Sequence, residues 1–506
     1  MVAELKSCAV IGINAQLVTV EMDYVDGVPD FQIVGLGDTA VKESRERVKA
    51  ALKNVHIELP AKCYVANLAP ADMKKEGSFY DLPIAIAAAM CSGKLRNIDL
   101  KDAMFVGELS LRGELRPVHG ILPAALCAKE NGLKRLFIPE KNKLEASVVS
   151  GIEIYACNTL FDVLSHISGT SEMTPFENSE DMFNFTGDEY ELDFADVKGQ
   201  EGTKWALEVA VAGGHNVLMT GSPGAGKTML AKRIPSIMPD LTFDEAIEIT
   251  KIHSVSGILP ENTALLKTRP FRSPHHTVSP AGLAGGGTVP KPGEISMAHN
   301  GVLFLDEFPE FRRDAVEILR QPMENGSITV SRTRATVTYP SNFMLIAATN
   351  PCPCGFLYDP VHECTCTQAA IERYKNKISG PVLDRIDIQI NVDPVAFDDL
   401  NRKSKSESSK SIRERVNKAR KIQIKRFEGT NVYCNANMTE PMIEKYCALD
   451  ERSKAILKLA FERLGMSARA YSRTLKVART IADLEGSENI TQNHLMQSLR
   501  LRKQEN

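Results

Sequence analysis

Nowhere in the 506 residues does an apolar run approach the roughly 18–20 residues that span a bilayer, so no membrane helix and no membrane partner are expected. The opening residues, MVAELKSCAVIGINAQ, hold no basic stretch ahead of an apolar block, so they do not read as a secretory signal. Charge of one sign is also lacking. The 61 Lys and Arg stand against 64 Asp and Glu, and a formal net charge of −3 excludes a uniformly basic nucleic-acid binder while leaving room for a local basic surface. Internal repeats and low-complexity tracts are absent, so neither a repeat array nor a disordered chain is expected. Of the 11 cysteines, four cluster between 352 and 366 and the rest are scattered. That usage fits reduced thiols in the cytoplasm rather than a disulfide framework.

What is present reads as ordinary globular protein, with 43% hydrophobic and 25% charged residues. The length suggests about two to four domains. Residues 1–168 alternate short apolar runs, such as VANLAP (65–70) and LFIP (136–139), with helical stretches such as DLPIAIAAAM (81–90) and PAALCAKENG (123–132). The next segment, 169–195, is an acidic linker: residues 171–196 carry nine Asp or Glu and no Lys or Arg. Residues 196–395 form a second α/β segment, with strand-like NVLMTG (216–221), GVLFLDE (301–307) and FMLIAATN (343–350). Strands alternating with helical patterns imply a parallel sheet. Residues 396–506 are helical in pattern. They begin with a basic run, 401–426, whose eleven Lys or Arg against two acids read first as a solvated helix face.

The most specific motif is Gly221, Ser222, Pro223, Gly224, Ala225, Gly226, Lys227 and Thr228, followed by Met229. It fits G-x-x-x-x-G-K-[ST] behind an apolar strand and ahead of a helix. Glycines let backbone N–H groups turn around phosphate oxygens, and the helix presents its positive end to the same anion. Lys227 would reach the outer phosphates of ATP, and Thr228 would coordinate Mg²⁺. The strand GVLFL ends in Asp306 and Glu307 at the carboxyl edge of the sheet. Asp306 would hold Mg²⁺ and Glu307 would act as general base. Asn350 ends the strand FMLIAAT and would orient the attacking water.

In NPCPCGFLYDPVHECTCTQ, Cys352-x-Cys354 and Cys364-x-Cys366 are separated by nine residues. Four thiols in two close pairs suit a tetrahedral Zn²⁺ site, with His362 as an alternative ligand. Reduced, unliganded cysteines and redox sensing are the other readings.

With these residues in place the chain resembles the magnesium-chelatase-like AAA+ proteins of the ComM or YifB family. The resemblance covers nearly the whole chain. It runs through RPFRSPHHTVSPAGLAGGG (269–287), PGEISMAHNGVLFLDEFPEF (292–311), NPCPCG (350–355), LDRIDIQI (383–390) and SARAYSRTLKVARTIADL (467–484). It implies a Lon-protease-like α+β domain, a P-loop AAA+ parallel-sheet domain and a C-terminal helical lid. It implies an ATPase working as a homo-oligomeric, hexameric ring, with Arg385 as arginine finger in trans and Arg469, or its neighbour Arg473, sensing the γ-phosphate. DVKGQ (196–200) resembles the stretch lying near the adenine.

The alternating segment SITVSRTRATVTYP (327–340) reads as a hairpin with Arg332 and Arg334 at its tip, and AGLAGGGTVPKPGE (281–294) as a loop carrying Lys291. By resemblance these tips would contact single-stranded or branched DNA without reading sequence. In the Lon-like segment, the positions of the protease lysine and serine fall at Leu122 and near Phe79, with Ser78 only adjacent, so a non-proteolytic domain is expected. The resemblance thus implies helicase or branch-migration work in natural transformation. The rivals are a metal-insertion motor subunit, an ATP-dependent protease and a nucleotide-gated remodelling scaffold without DNA activity.

Overall fold

The computed structural model describes residues 2–95, 98–177, 190–287, 290–332, 335–357, 359, 362–395 and 406–502. Two compact units emerge. The first comprises residues 1–184 together with Ala246–Leu266, the second residues 185–245 and 267–506.

The first unit holds a seven-stranded mixed sheet. Its strands run in the order Asp30–Val34, Cys63–Ala69, Asn14–Val25, Ala3–Ile11, Ala103–Phe105, Arg135–Pro139 and Glu153–Cys157. Its core helix, Asp81–Cys91, is apolar on every side because it is buried on every side: Leu82, Ile84 and Ile86 are all sealed from solvent. Asp81 is buried with them. Burial raises its carboxyl pKa, and the Arg47 Nε bond at 2.6 Å works against that rise. The helix Phe243–Ser256 delivers Ala246, Ile249 and Ile252 into this unit's buried interior. There Ser254 Oγ accepts from the Gly120 amide at 2.9 Å and donates to the buried Glu145, whose carboxyl burial pushes up.

The second unit is built on five parallel strands in the order Phe271–Arg272, Val302–Leu305, Met344–Thr349, Val217–Thr220 and Ile388–Asn391. Helices cover the sheet, so strands such as VLFL and MLIAAT are apolar throughout rather than alternating. The register pairs Thr220 with Thr349 and Leu305 with Ala347. Three strands therefore end side by side, and whatever follows Thr220, Leu305 and Thr349 is gathered along one edge. The chain is thus mixed α/β with a parallel sheet and many helices, and no helix among the described residues is long and apolar enough to cross a membrane.

The C-terminal helices Glu440–Tyr446, Glu451–Leu464, Ala468–Leu484 and Gln492–Arg500 close around a small core that includes Phe427, Leu475 and Leu495, whereas the helix Ser409–Arg426 sends Ile412, Val416 and Ala419 into the core beneath the parallel sheet. The basic run departs from a simple solvated face. Arg415 pairs with Glu208 at 2.7 Å, Arg426 donates to Asp483 at 2.8 Å, and Arg413 is buried. Only Lys410, Lys418, Lys421 and Lys425 of the described part stay exposed. Arginine carries this load because its planar fork satisfies two carboxylate oxygens at once. Residues 401–405 of the run lie outside the described residues.

Candidate functional site

The nucleotide-type loop is shaped by its glycines. A Cβ on Gly221 would sit 2.4 Å from the Val392 carbonyl oxygen, so only glycine fits that close approach. Gly226 has φ +91, a left-handed conformation that admits a side chain only with strain. The helix Lys227–Ile237 starts directly behind it. Gln200 braces the loop from below: its side-chain amide donates to the Ala225 carbonyl at 2.7 Å and to the Asp393 carbonyl at 2.9 Å. The sequence marks Gln200 only as part of DVKGQ, and nothing in that phrase predicts the strut.

The strand edge joins four of the expected residues. The Gly221 amide donates to the Thr349 carbonyl at 3.2 Å, tying the loop to the strand that ends at Asn350. Lys227 Nζ donates to the Gly221 carbonyl at 2.6 Å, to the Ser222 carbonyl at 3.0 Å and to Asn350 Oδ1 at 3.1 Å. Burial holds this ammonium below the usual lysine range, with nearby Asp306 acting against the shift. Thr228 Oγ1 donates to Asp306 Oδ2 at 2.6 Å, so a hydroxyl and a carboxylate oxygen face one point. Two hard oxygens so arranged suit Mg²⁺, which takes few protein ligands and keeps its waters.

Glu307 is exposed, with φ 51, and its carboxylate lies 3.2 Å from His276 Nδ1. His276 was not singled out in the sequence, and its contact depends on a loop 31 residues upstream. Glu307 and Asn350 also line a cleft of about 390 Å³ with Glu310, Arg373, Tyr374 and Lys377. Lys377 pairs with Glu310 at 2.9 Å. Arg373 lies on the helix Gln368–Lys375 and Lys377 in the turn after it, so no local periodicity flags the pair.

The three candidate arginines are not gathered there. Arg385 is buried, donating to the Pro381 carbonyl at 2.6 Å and pairing with Glu324. Arg473 is committed to Asp387 and to the Arg385 carbonyl at 2.7 Å. Burial would raise the Asp387 carboxyl, but Arg473 and His215 outweigh it and hold it well below the usual carboxylate range. Arg469 is exposed, meets no acceptor among the described residues, and lines a separate cavity of about 520 Å³ with Glu440, Glu444 and Tyr471.

The hairpin forms as expected, Ser327–Arg332 pairing antiparallel with Ala335–Pro340. The glycine-rich loop lies against it: Tyr339 donates its hydroxyl to the Pro290 carbonyl at 2.6 Å, and a Cβ on Gly286 would be 3.1 Å from Arg332 Nη2. Lys291 and Arg332 are both exposed on these neighbouring ribbons. Arg334 lies outside the described residues.

The four thiols converge. Cys352 Sγ is 3.3 Å from Cys354 Sγ and 3.7 Å from Cys364 Sγ, and all four sulfurs lie within 4.8 Å of one another. A hydrogen bond from the Phe356 amide helps pull the Cys354 thiol down to about 6, favouring thiolate. His362 is not among them; its ring lies tilted against Phe356 and faces Asp359 at 3.3 Å. In the first unit, Ser78 donates to the Glu108 carboxylate, and Leu122 is an apolar core residue whose amide donates to Glu145 at 2.7 Å.

Three family models match in succession: the subunit ChlI of Mg-chelatase over residues 20–142, the magnesium chelatase subunit ChlI over 193–400, and its C-terminal region over 406–502. The competence protein ComM of Haemophilus influenzae is 45% identical over 498 residues, 97% of this chain and 96% of that protein. An uncharacterized Escherichia coli protein, YifB, is 41% identical over 98% of this chain and 96% of its own length. A Lon protease of Lachnoclostridium phytofermentans is 33% identical over 119 residues, 22% of this chain and 13% of that protein. Identity sustained across nearly full length places the chain in the ComM and YifB family of magnesium-chelatase-like proteins.

Proposed function

We propose that the chain is a Mg²⁺-dependent AAA+ ATPase that works as a homo-oligomeric, hexameric ring on DNA, driving branch migration or strand separation of the ComM type. The observation that carries this reading is the joining of Lys227, Thr228, Asp306 and Asn350 at one sheet edge, with Glu307 beside them. The loop Gly221–Met229 binds the triphosphate and Lys227 pairs with its outer oxygens. Thr228 and Asp306 hold Mg²⁺, which supplies charge neutralisation when bound. Glu307 accepts the proton of the attacking water and Asn350 orients that water. His276, 3.2 Å away, steadies the Glu307 carboxylate.

Arg385 serves a neighbouring subunit's site only by exchanging Glu324 for phosphate, and Glu324 is half exposed and able to swing away. Arg469, unpaired among the described residues, is free to reach phosphate; Arg473 is structural. Lys291 and Arg332 grip the DNA backbone from adjacent ribbons, with Arg334 expected beside them, and the exposed lysines of 409–426 add a weaker contact. The first domain is a non-proteolytic Lon-like fold with a role in assembly, residues 196–395 are the motor, 396–506 the lid, and 169–195 the linker. The four thiols form a structural Zn²⁺ site, and the protein works in the cytoplasm during uptake and recombination of DNA.

The test is ATP hydrolysis with and without single-stranded, duplex and four-way-junction DNA, beside a branch-migration assay and the Lys227→Ala variant. Hydrolysis stimulated by DNA and lost in the variant supports the reading. Hydrolysis indifferent to every DNA at low salt removes the DNA role, and stimulation by a porphyrin-loaded partner alone moves the chain to the metal-insertion class.

A further inference from the structure

The thiol cluster sits where three parts of the nucleotide site meet. Cys352 follows two residues after Asn350, whose side chain accepts from Lys227. Cys366 immediately precedes Thr367, which caps the helix Gln368–Lys375 by accepting from the Ala370 amide at 3.3 Å. That helix and the turn after it carry Arg373, Tyr374 and Lys377 into the cleft beside Glu307. Between the pairs, Gly355 is buried with φ +88, and a Cβ there would lie 2.6 Å and 2.7 Å from Cδ and Cγ of Pro223. The cluster's own loop is thus seated on the third residue of the phosphate loop, and a rigid proline ring leaves that contact no room to shift.

The sulfur geometry fits one tetrahedral ion. With Zn–S bonds of about 2.3 Å, neighbouring thiolates stand about 3.8 Å apart. The contacts of 3.3, 3.6 and 3.7 Å come near that spacing. They are far too long for a disulfide, whose sulfurs lie about 2.05 Å apart. Bringing two thiol pairs separated by nine residues onto one point costs chain entropy that a few weak thiol hydrogen bonds cannot offset, whereas four metal–sulfur bonds can.

We propose that one zinc ion, held by Cys352, Cys354, Cys364 and Cys366, clamps Gly355 onto Pro223 and fixes Asn350, so that affinity for nucleotide depends on zinc loading. The proposal rests on the nucleotide reading given above and adds to it a structural metal that sets the shape of the phosphate loop from outside. Displacement of positioning groups by about an ångström commonly costs one to two orders of magnitude, so the expected effect is large.

The experiment uses full-length protein purified without chelator. Zinc is measured by elemental analysis, and affinity by titration with a fluorescent ATP analogue in Mg²⁺. About one zinc per chain is expected. The double variant Cys364→Ser, Cys366→Ser should lose the zinc and weaken analogue binding at least about tenfold, with circular dichroism retained. The variant Gly355→Ala should keep its zinc yet bind the analogue more weakly, because it breaks the clamp alone. Zinc-free wild-type protein that takes up none on addition overturns the proposal, as does a zinc-free double variant that binds as tightly as wild type. Should the double variant fail to fold, a zinc-loaded Gly355→Ala protein with undiminished affinity overturns it. Wild-type protein that binds no nucleotide at all refutes the motor reading instead.

Discussion

Replacing Arg473 with alanine should damage the fold, whereas replacing Arg469, four residues earlier on the same helix, should not. Asp387 is only 5% exposed and is held by Arg473, by the Asn216 amide at 3.1 Å and by His215 Nδ1 at 3.5 Å. Taking away one partner of a buried ion pair costs about 3–5 kcal/mol, since the remaining charge is left in a poor solvent. The amide, the imidazole and the partial exposure of Arg473 reduce this to about 2–4 kcal/mol, or roughly 5–10 °C in melting temperature for a unit of this size. Arg469 is exposed and unpartnered among the described residues, so its loss should change stability by less than about 0.5 kcal/mol.

The penalty at Arg473 also has a pH signature. Asp387 has a folded pKa depressed below its unfolded value, so its stabilisation is fully present above the ordinary carboxylate pKa of about 4 and is lost only as pH falls toward the folded value. In Arg473→Ala the carboxyl can relieve its burial by taking a proton, so the gap from wild type is widest at neutral pH and narrows in acid. Urea denaturation of both variants across pH 4 to about 8 reads this directly. Equal loss in the two variants, or a gap that widens in acid, refutes the assignment of Arg473 as a structural partner.

Glu307→Gln should still bind a fluorescent ATP analogue but hydrolyse ATP about 10²–10⁴-fold more slowly, and unchanged turnover removes Glu307 from the proton-accepting role. Gly221→Ala drives a methyl group into the Val392 carbonyl; denaturation should show a loss of about 1–3 kcal/mol together with weaker analogue binding, and a neutral outcome contradicts the 2.4 Å approach. Lys291→Ala and Arg332→Ala should each weaken DNA binding and lower the salt slope by about 1 while leaving DNA-free hydrolysis unchanged, and a slope equal to wild type excludes that residue from the phosphate grip.

The parts of the site legible in the sequence are those written in local patterns. An apolar strand followed by Gly221–Thr228, another ending in Asp306 and a third ending in Asn350 can each be read from consecutive residues alone. A parallel sheet then gathers strand ends on one edge without further information. Features set by distant packing were not legible. Arg385 pairs with Glu324 across 61 residues and Arg473 with Asp387 across 86, and no local spacing signals either. The basic run misleads for the same reason: its arginines find Glu208 and Asp483, far away in sequence, so composition shows the charge but not its neutralisation. Nothing in the phrase NPCPCG signals that Gly355 lies against Pro223.

The return of residues 246–266 to the first unit changes what counts as a separable piece of this protein. The polypeptide passes between the units three times, so residues 1–177 expressed alone would lack Ile249, Ile252 and the Ser254 hydroxyl that meets Glu145 and the Gly120 amide. Such a truncation bares an apolar groove and strands a buried carboxylate, and would be expected to clump on purification. A graft carrying residues 246–266 on a short tether would be the soluble version, and a protease nick between the pieces need not let them part.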